Sequence, residues 1–269
     1  MKRFDKYVIA FRLGIQNSME YRTDFFLSIV SIIFPITLNI FYWTAVFSNG
    51  SGNIVFGYTY NQIITYTVLS GVVSTFVSAG FAQEMAGDIK GGGLNKYLVQ
   101  PIIYFHYMIC RFFGGKLVQS GVLIVIMSLL VFVFKDVLGL GIGYEKLLVF
   151  LAALVLATVL NFAIFFCVGV TAFWVSEVSY LFWAISVLVN LAGGGVFPIE
   201  IFGPAVYKIL NLLPFKYTIY FPINVLNDKL SMEHAVHGLL IQILWICILV
   251  AAANLFWNKG VRKYIAIGG

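Results

Sequence analysis

Charged side chains are scarce in this sequence: Asp, Glu, Lys and Arg make up only 10% of its 269 residues. A soluble domain carries about a quarter charged residues, because water has to solvate its surface. Hydrophobic residues account for 61% of this chain instead. The shortage of charge excludes a water-soluble globule and predicts that much of the surface faces lipid.

Cysteine is also rare, with Cys110, Cys167 and Cys247 widely spaced and mostly inside apolar runs. They predict neither a disulfide framework nor a metal cluster. No Pro- or Ser-rich linker divides the chain, so a single transmembrane domain over residues 1–269 is expected. Residues 1–24 are charged and lack a small-residue cleavage site, which argues against a cleavable signal peptide.

Motifs for nucleotide binding and catalysis are missing as well. Gly114-Gly115-Lys116 matches part of a phosphate loop, but that motif needs Gly at Cys110 and Ser or Thr at Leu117. The pair His234 and His237 lacks the HExxH spacing and a third ligand. We therefore expect no catalytic residue, no metal site and no cofactor on this chain, and no enzymatic activity of its own.

The sequence does contain long uncharged runs. A helix needs about 20 apolar residues to cross the hydrocarbon core, and unpaired backbone in lipid is costly, so such runs should be helical. About six transmembrane helices are predicted, at residues 25–48, 62–82, 112–134, within 147–175, 178–199 and 238–257. The expected fold class is an all-α, polytopic membrane protein.

Two further segments are neither span nor simple loop. Within residues 1–24, apolar and charged positions recur at helical spacing from residue 4 to residue 22, which predicts an amphipathic helix at the inner membrane interface. Residues 201–232 carry Pro204, Pro214 and Pro222 among apolar residues. This pattern predicts a short outer hairpin, re-entrant at the bilayer edge, before the last span.

Lysine and arginine are distributed unequally between the predicted loops. With the N-terminus in the cytoplasm, twelve of the 17 basic residues fall on the inner face. The outer face then receives Lys135, Lys146, Lys208, Lys216 and Lys229. Because basic residues favour the cytoplasmic side, we expect a multi-pass protein of a bacterial cell membrane with both termini inside. Basic residues in short segments between uncharged runs do not indicate nucleic-acid binding.

No charged residue lies centrally in a predicted span, which disfavours an ion-coupled carrier. Small and mildly polar residues occupy two of the helices instead. Such residues permit close helix approach, so they predict packing within the bundle, a dimer interface or the wall of a transport path. The candidates are Ser70, Ser74 and Ser78 in the second helix, and Ser186, Asn190, Gly193, Gly194 and Gly195 in and after the fifth.

The connection at residues 83–111 is long and glycine-rich, and Pro101 stops the apolar and basic segment that follows its glycines. That segment should pack on the membrane interface or on a soluble partner. That segment is Leu94 to Val99, and the longer stretch that contains it reads Ile89-Lys90-Gly91-Gly92-Gly93-Leu94-Asn95-Lys96-Tyr97-Leu98-Val99-Gln100-Pro101. It resembles the cytoplasmic segment I-[RK]-x-G-x-L-D-x-Y-L-x-x-P of ABC-2 type transporter permeases, with Asn95 in place of the usual Asp.

Two later motifs extend this resemblance over nearly the whole chain. Leu213-Pro214-Phe215-Lys216-Tyr217, running on to Phe221-Pro222, is similar to the element L-P-F-x-Y…F-P before the last span of that family. Gly260-Val261-Arg262-Lys263-Tyr264 with Gly268-Gly269 is similar to its G-x-R-x-Y…G-G ending. The sequence thus resembles the short six-span permeases that carry no fused ATPase.

The resemblance implies the permease subunit of an ABC exporter for a drug, antibiotic, lipid or glycan. Such a subunit pairs with a second copy or a homologous permease, and separate cytoplasmic ABC ATPase subunits bind ATP and Mg²⁺. The connection at 83–111 would then couple to the ATPase through Lys90, Leu94, Lys96, Tyr97, Leu98 and Pro101. The alternatives are an ATP-independent channel or secondary carrier, and a membrane-embedded lipid-modifying enzyme.

Overall fold

The computed structural model describes residues 5–20, 22–49, 54–133, 144–227 and 229–264, and these are almost entirely helical. The helices are α1 Asp5–Glu20, α2 Arg22–Asn49, α3 Tyr60–Val77, α4 Phe81–Lys90, α5 Asn95–Leu98, α6 Tyr104–Val133, α7 Tyr144–Val170, α8 Val178–Ala192, α9 Gly203–Asn211, α10 Tyr220–Leu226 and α11 Met232–Lys263. Short 3-10 turns lie at Thr171–Phe173, Ile199–Phe202 and Pro214–Tyr217. Strands β1 Ile54–Val55 and β2 Tyr58–Thr59 form a small antiparallel hairpin.

Several of these helices are long and apolar enough to cross a membrane. By length and composition, the segments Tyr60–Lys90, Tyr144–Phe173 and Met232–Lys263 qualify within the described residues, and Val178–Ala192 is a shorter apolar helix. Helices α2 and α6 contain 28 and 30 residues. The chain is therefore an all-α membrane protein, as the composition predicts.

Helix α7 lies at the centre of the described bundle, where it contacts α3, α4, α8, α10 and α11. Its side chains are mostly buried from Ala157 to Val170. The ring of Phe162 stacks on Phe81, with 4.7 Å between centroids, and also meets Phe105 and Phe112. Because lipid is as apolar as these rings, close packing rather than removal from water holds them together.

Helix α1 crosses the first half of α6 at very short range. A Cβ atom on Gly14 would lie 2.0 Å from the carbonyl oxygen of Arg111, and one on Gly114 would lie 2.1 Å from that of Phe11. Only glycine fits at such a crossing. The pair Gly114-Gly115 therefore serves helix packing, and the predicted interfacial helix rests on protein along one side.

The predicted second span is interrupted, because α3 ends at Val77 and α4 starts at Phe81. In a continuous helix the backbone N–H groups one turn further on would bond to Thr75 O and Val77 O. Here Gln119 Nε2 donates to Thr75 O at 3.1 Å, and Asn161 Nδ2 donates to Val77 O. Donors from α6 and α7 thus satisfy the carbonyls at the break.

Two other spans differ in length from the prediction. Helix α6 begins at Tyr104 rather than near residue 112, because its first aromatic residues pack on neighbouring helices: Tyr104 stacks on Trp257 at 4.8 Å. Helix α8 ends at Ala192 and has 15 residues. A turn at Gly193–Gly195 follows it, and Gly194 has a φ of +79° that favours glycine. The predicted end of the third span at residue 134 lies outside the described residues.

The hairpin predicted at 201–232 consists of α9 and α10 with the turn Pro214–Tyr217 between them. Its prolines occupy helix starts, where a missing N–H group costs little. Every side chain of α10 is buried, and α10 packs on α7 and α3. Gln242 of α11, which is fully buried, donates to Tyr217 O at 2.9 Å and to Ala153 O at 3.1 Å. Protein therefore covers the α10 part of this proline-rich segment, whereas most side chains of α9 are exposed.

Candidate functional site

The connection between α4 and α6 forms a tight turn followed by the one-turn helix α5. Gly91 N–H donates to Gly87 O and Leu94 N–H to Asp88 O, both at 2.8 Å, so the chain reverses over Gly91–Gly93. Gly92 has a φ of +75°. A Cβ atom on Gly93 would lie 2.6 Å from Asp88 Oδ1, which explains why small residues are needed here.

The inner side of α5 anchors the connection to the bundle. Leu94 is fully buried and Tyr97 is 8% exposed. The ring of Tyr97 meets Tyr104 at 5.0 Å and Tyr107 at 4.9 Å. Because Tyr104 in turn stacks on Trp257 of α11, a continuous row of rings joins α5 to α6 and α11.

The end of α5 and the residues that follow it present an exposed apolar surface, which we call the apolar tip and define as Leu98, Val99 and Ile103. Their exposed fractions are 43%, 82% and 53%. Pro101 is also exposed, and its carbonyl accepts a hydrogen bond from Lys6 of α1. Ile103 N–H donates to the Tyr7 hydroxyl at 3.4 Å. Helix α1 therefore braces the segment that carries the tip.

Two ion pairs hold the connection in place. Lys96 Nζ lies 3.5 Å from Asp88 Oδ1, and the Tyr104 hydroxyl donates to Asp88 Oδ2 at 3.4 Å. Arg111 pairs with Glu84 of α4. Of the predicted coupling residues, Lys90 ends α4 and is half-buried. The sequence analysis missed Asp88, because nothing in its local pattern indicates that Lys96 folds back onto it.

A cleft of about 470 Å³ lies between α2, α3 and α8. It brings together five of the residues predicted for a path or an interface, which are far apart in the sequence: Ser70, Ser74, Ser186, Asn190 and Gly195. Pro35 and Asn39 of α2 line its other side. Every residue known to line the cleft in the described part of the chain is uncharged.

The other three predicted residues lie elsewhere. Ser78 is exposed at the end of α3, and its hydroxyl donates to Thr75 O at 2.7 Å. The break after Val77 therefore separates it from Ser70 and Ser74. Gly193 and Gly194 are buried behind the cleft, where the Tyr66 hydroxyl donates to Gly194 O at 2.5 Å.

A polar network that the sequence analysis missed supports this turn. The hydroxyls of Tyr58 and Tyr220 donate to Glu200 Oε1, at 3.3 Å and 2.5 Å. Tyr58 has a single hydroxyl proton, which is shared between Glu200 Oε1 and Asn224 Oδ1, the latter at 3.1 Å. Burial, followed by the charge of Glu200, raises the pKa of Tyr58 and keeps it a donor. The network ties the β-hairpin to α10, and its members are too dispersed in sequence to be read as one group.

The part of the chain that the structure describes contains no group of three His, Cys, Asp or Glu residues able to hold a metal ion. His234, one of the two histidines considered above, instead lies 2.7 Å from Ser231 Oγ, and Ser231 caps α11. Lys116 of the incomplete phosphate motif is buried and donates to Gln119 Oε1 at 2.8 Å.

The apolar helices, which pack around α7, define a helical membrane protein. Residues 33–268 match the sequence profile of a family described as ABC-2 family transporter protein. The chain belongs to this family and is a permease component of an ABC-type transporter, as the three motifs predict. No curated protein and no solved structure matches the chain.

Proposed function

We propose that the chain is the six-span permease subunit of an exporter that is driven by a separate ABC ATPase. The six spans would be α2, α3 with α4, α6, α7, α8 and α11, with both termini in the cytoplasm. Helix α8 alone extends about 22 Å at 1.5 Å per residue, less than the hydrocarbon core. The hairpin of α9 and α10 would complete this span on the outer side.

The observation that carries the proposal is the apolar tip, which belongs to a segment that is packed and ion-paired against the bundle. Val99 is 82% exposed in a segment whose other side is packed and ion-paired. Exposed apolar side chains that adjoin each other mark interaction sites. On the cytoplasmic side such a tip fits a pocket of an ATPase subunit. The row from Tyr97 through Tyr104 to Trp257 would carry movement of the ATPase to α6 and α11.

The cleft between α2, α3 and α8 is the proposed path for the cargo. Two copies, or this chain and a homologous permease, would enclose it. An uncharged wall suits an amphiphilic or largely apolar cargo, because a small ion would lose its hydration without replacement. The same lack of charge disfavours the alternative of an ion-coupled carrier, which would need titratable groups along the path.

Co-purification with the ATPase tests the proposal. The chain with Val99→Asp should lose the ATPase that accompanies the unchanged chain, with association weakened about tenfold or more, because an unpaired charge would enter the docked interface. Asn258→Asp adds the same charge at an exposed position near the end of α11 and should have no effect. Equal recovery of the ATPase with both variants would refute docking at the tip.

A further inference from the structure

The cleft between α2, α3 and α8 has two chemically different walls. On α3, four side-chain hydroxyls line the cleft, and each donates its single proton to a backbone carbonyl of the same helix, at distances of 2.8 to 3.1 Å. They are those of Thr67, Ser70, Ser74 and Thr75. A hydroxyl that has donated its proton retains lone pairs only. The α3 wall therefore presents hydrogen-bond acceptors to a ligand.

The facing wall on α8 has unused donors. The side chains of Ser186 and Asn190 line the cleft and form no hydrogen bond within the described residues. A serine hydroxyl and an amide group each provide donors and acceptors. A ligand that pairs fully with both walls therefore donates toward α3 and both accepts from and donates to α8.

A hydroxyl group meets both requirements, because it donates and accepts at once. An ammonium group would satisfy α3 but leave the protons of Ser186 and Asn190 unpaired. A phosphate or carboxylate would face the lone pairs of α3. Either ion would also lie against a wall without a counter-charge, which makes its transfer from water costly.

The volume of the cleft and its apolar lining residues fit a polyol that carries an alkyl chain. The volume of about 470 Å³ lies within the range of about 300–1,000 Å³ for small-molecule sites. Trp183 lines the cleft with 63% of its surface exposed, and its ring can pack on the C–H face of a sugar. Val187 and Leu191, which are exposed, supply apolar contacts where an alkyl chain would leave the cleft toward lipid.

We infer that the cleft binds the uncharged, hydroxyl-rich headgroup of an amphiphile, such as a sugar-headed lipid. This inference rests on the proposed role of the cleft as the cargo path and specifies the class of cargo. Ser186 and Asn190 orient the headgroup, and the α3 hydroxyls accept from it. Recognition needs neither a charge on the ligand nor one on the protein.

Binding to the purified chain in lipid nanodiscs, without any ATPase, tests the inference. The probes are dodecyl maltoside, dodecyltrimethylammonium and dodecyl sulfate, which share an alkyl tail and differ in headgroup charge. Bound probe is counted by mass spectrometry of the intact complex. Dodecyl maltoside should bind saturably, and the two ions should bind at least about tenfold more weakly.

Substitutions of cleft residues test whether dodecyl maltoside binds in the cleft. Ser186→Ala removes one hydroxyl without adding volume, and Asn190→Leu removes an amide; each should weaken maltoside binding about tenfold. The matched controls are Ser179→Ala, at an exposed position of α8 outside the cleft, and Asn254→Leu, at an exposed position of α11. Both should bind like the unchanged chain.

Three results would overturn the inference: no binding of the maltoside, equal or tighter binding of either ion, or equal loss of binding in the controls. If the maltoside does not bind and Ser186→Cys forms a disulfide between two copies, the cleft is an interface. None of these results concerns the ATPase. If the headgroup inference fails, docking of the ATPase at the apolar tip is still tested separately by co-purification.

Discussion

Tyr97 and Leu98 are neighbours in the sequence, but only the side chain of Tyr97 is buried. Tyr97 is 8% exposed and contacts two rings of α6, whereas Leu98 is 43% exposed. One residue therefore holds the segment to the bundle, and the other is available to a partner. The motif alone suggests that both contact the ATPase, because a local pattern does not show which side of a one-turn helix is buried.

Replacing each of these residues by alanine should separate the two roles. Tyr97→Ala should destabilise the chain by about 3 kcal/mol, because truncating a buried aromatic side chain leaves a cavity. Tyr97→Phe keeps the ring and serves as the control, and it should lower stability much less. Leu98→Ala should leave stability nearly unchanged and weaken ATPase association. Thermal unfolding of the purified variants measures the first effect, and equal melting temperatures for Tyr97→Ala and Leu98→Ala would contradict the assignment.

At the scale of elements, the crossing of α1 and α6 depends on three glycines. Gly14 and Gly114 allow backbone contact at a distance that no Cβ atom permits, and Gly115 lies against Ser18 of α1. Because α1 also bonds to Pro101 and Ile103, its position on α6 supports the apolar tip. A helix predicted to lie on the membrane surface thus also braces the connection between α4 and α6.

Two glycine-to-alanine substitutions on α6 test this crossing. Gly114→Ala should displace α1, because the new methyl group would meet Phe11 O. Gly121→Ala is the matched control, since a Cβ atom there has no neighbour within 4 Å. Limited trypsin digestion at Arg12, which is exposed, should be faster in Gly114→Ala only. Equal digestion rates for the two variants would show that α1 does not need the glycine contact.

The positions of most helices could be predicted, because a run of about 20 apolar residues is sufficient to specify a membrane helix. The break after Val77 could not, since it depends on Asn161 and Gln119, which lie 84 and 44 residues from the carbonyls they contact. The cleft was predicted in part: Ser74 and Asn190 line it, whereas Ser78 lies beyond the break. Side chains that act over long sequence separations leave no local pattern.

At the scale of the whole molecule, the orientation in the membrane decides which partner can reach the tip. Twelve of 17 basic residues fall on one face if the N-terminus is cytoplasmic. The same orientation places Val99 and the end of α11 in the cytoplasm and the α9–α10 hairpin outside. An ATPase can dock on the tip only in this arrangement.

Cysteine labelling in intact cells tests this orientation, because it reports which positions are accessible from outside. In a background without Cys110, Cys167 and Cys247, an impermeant maleimide should label Lys208→Cys from outside and should not label Val99→Cys. Both positions are exposed, so differences in burial do not explain the result. External labelling of Val99→Cys would reverse the topology and exclude a cytoplasmic ATPase at the tip.

ATP hydrolysis by the reconstituted complex tests the central claim, that an ATPase docked on the apolar tip drives this permease. Hydrolysis by the partner ATPase should rise when the chain is present in nanodiscs. The double substitution Leu98→Asp and Val99→Asp should return hydrolysis to the rate of the ATPase alone, whereas Asn258→Asp should preserve the rise. An unchanged rate of hydrolysis with and without the chain, or a full rise with the double substitution, would contradict the account.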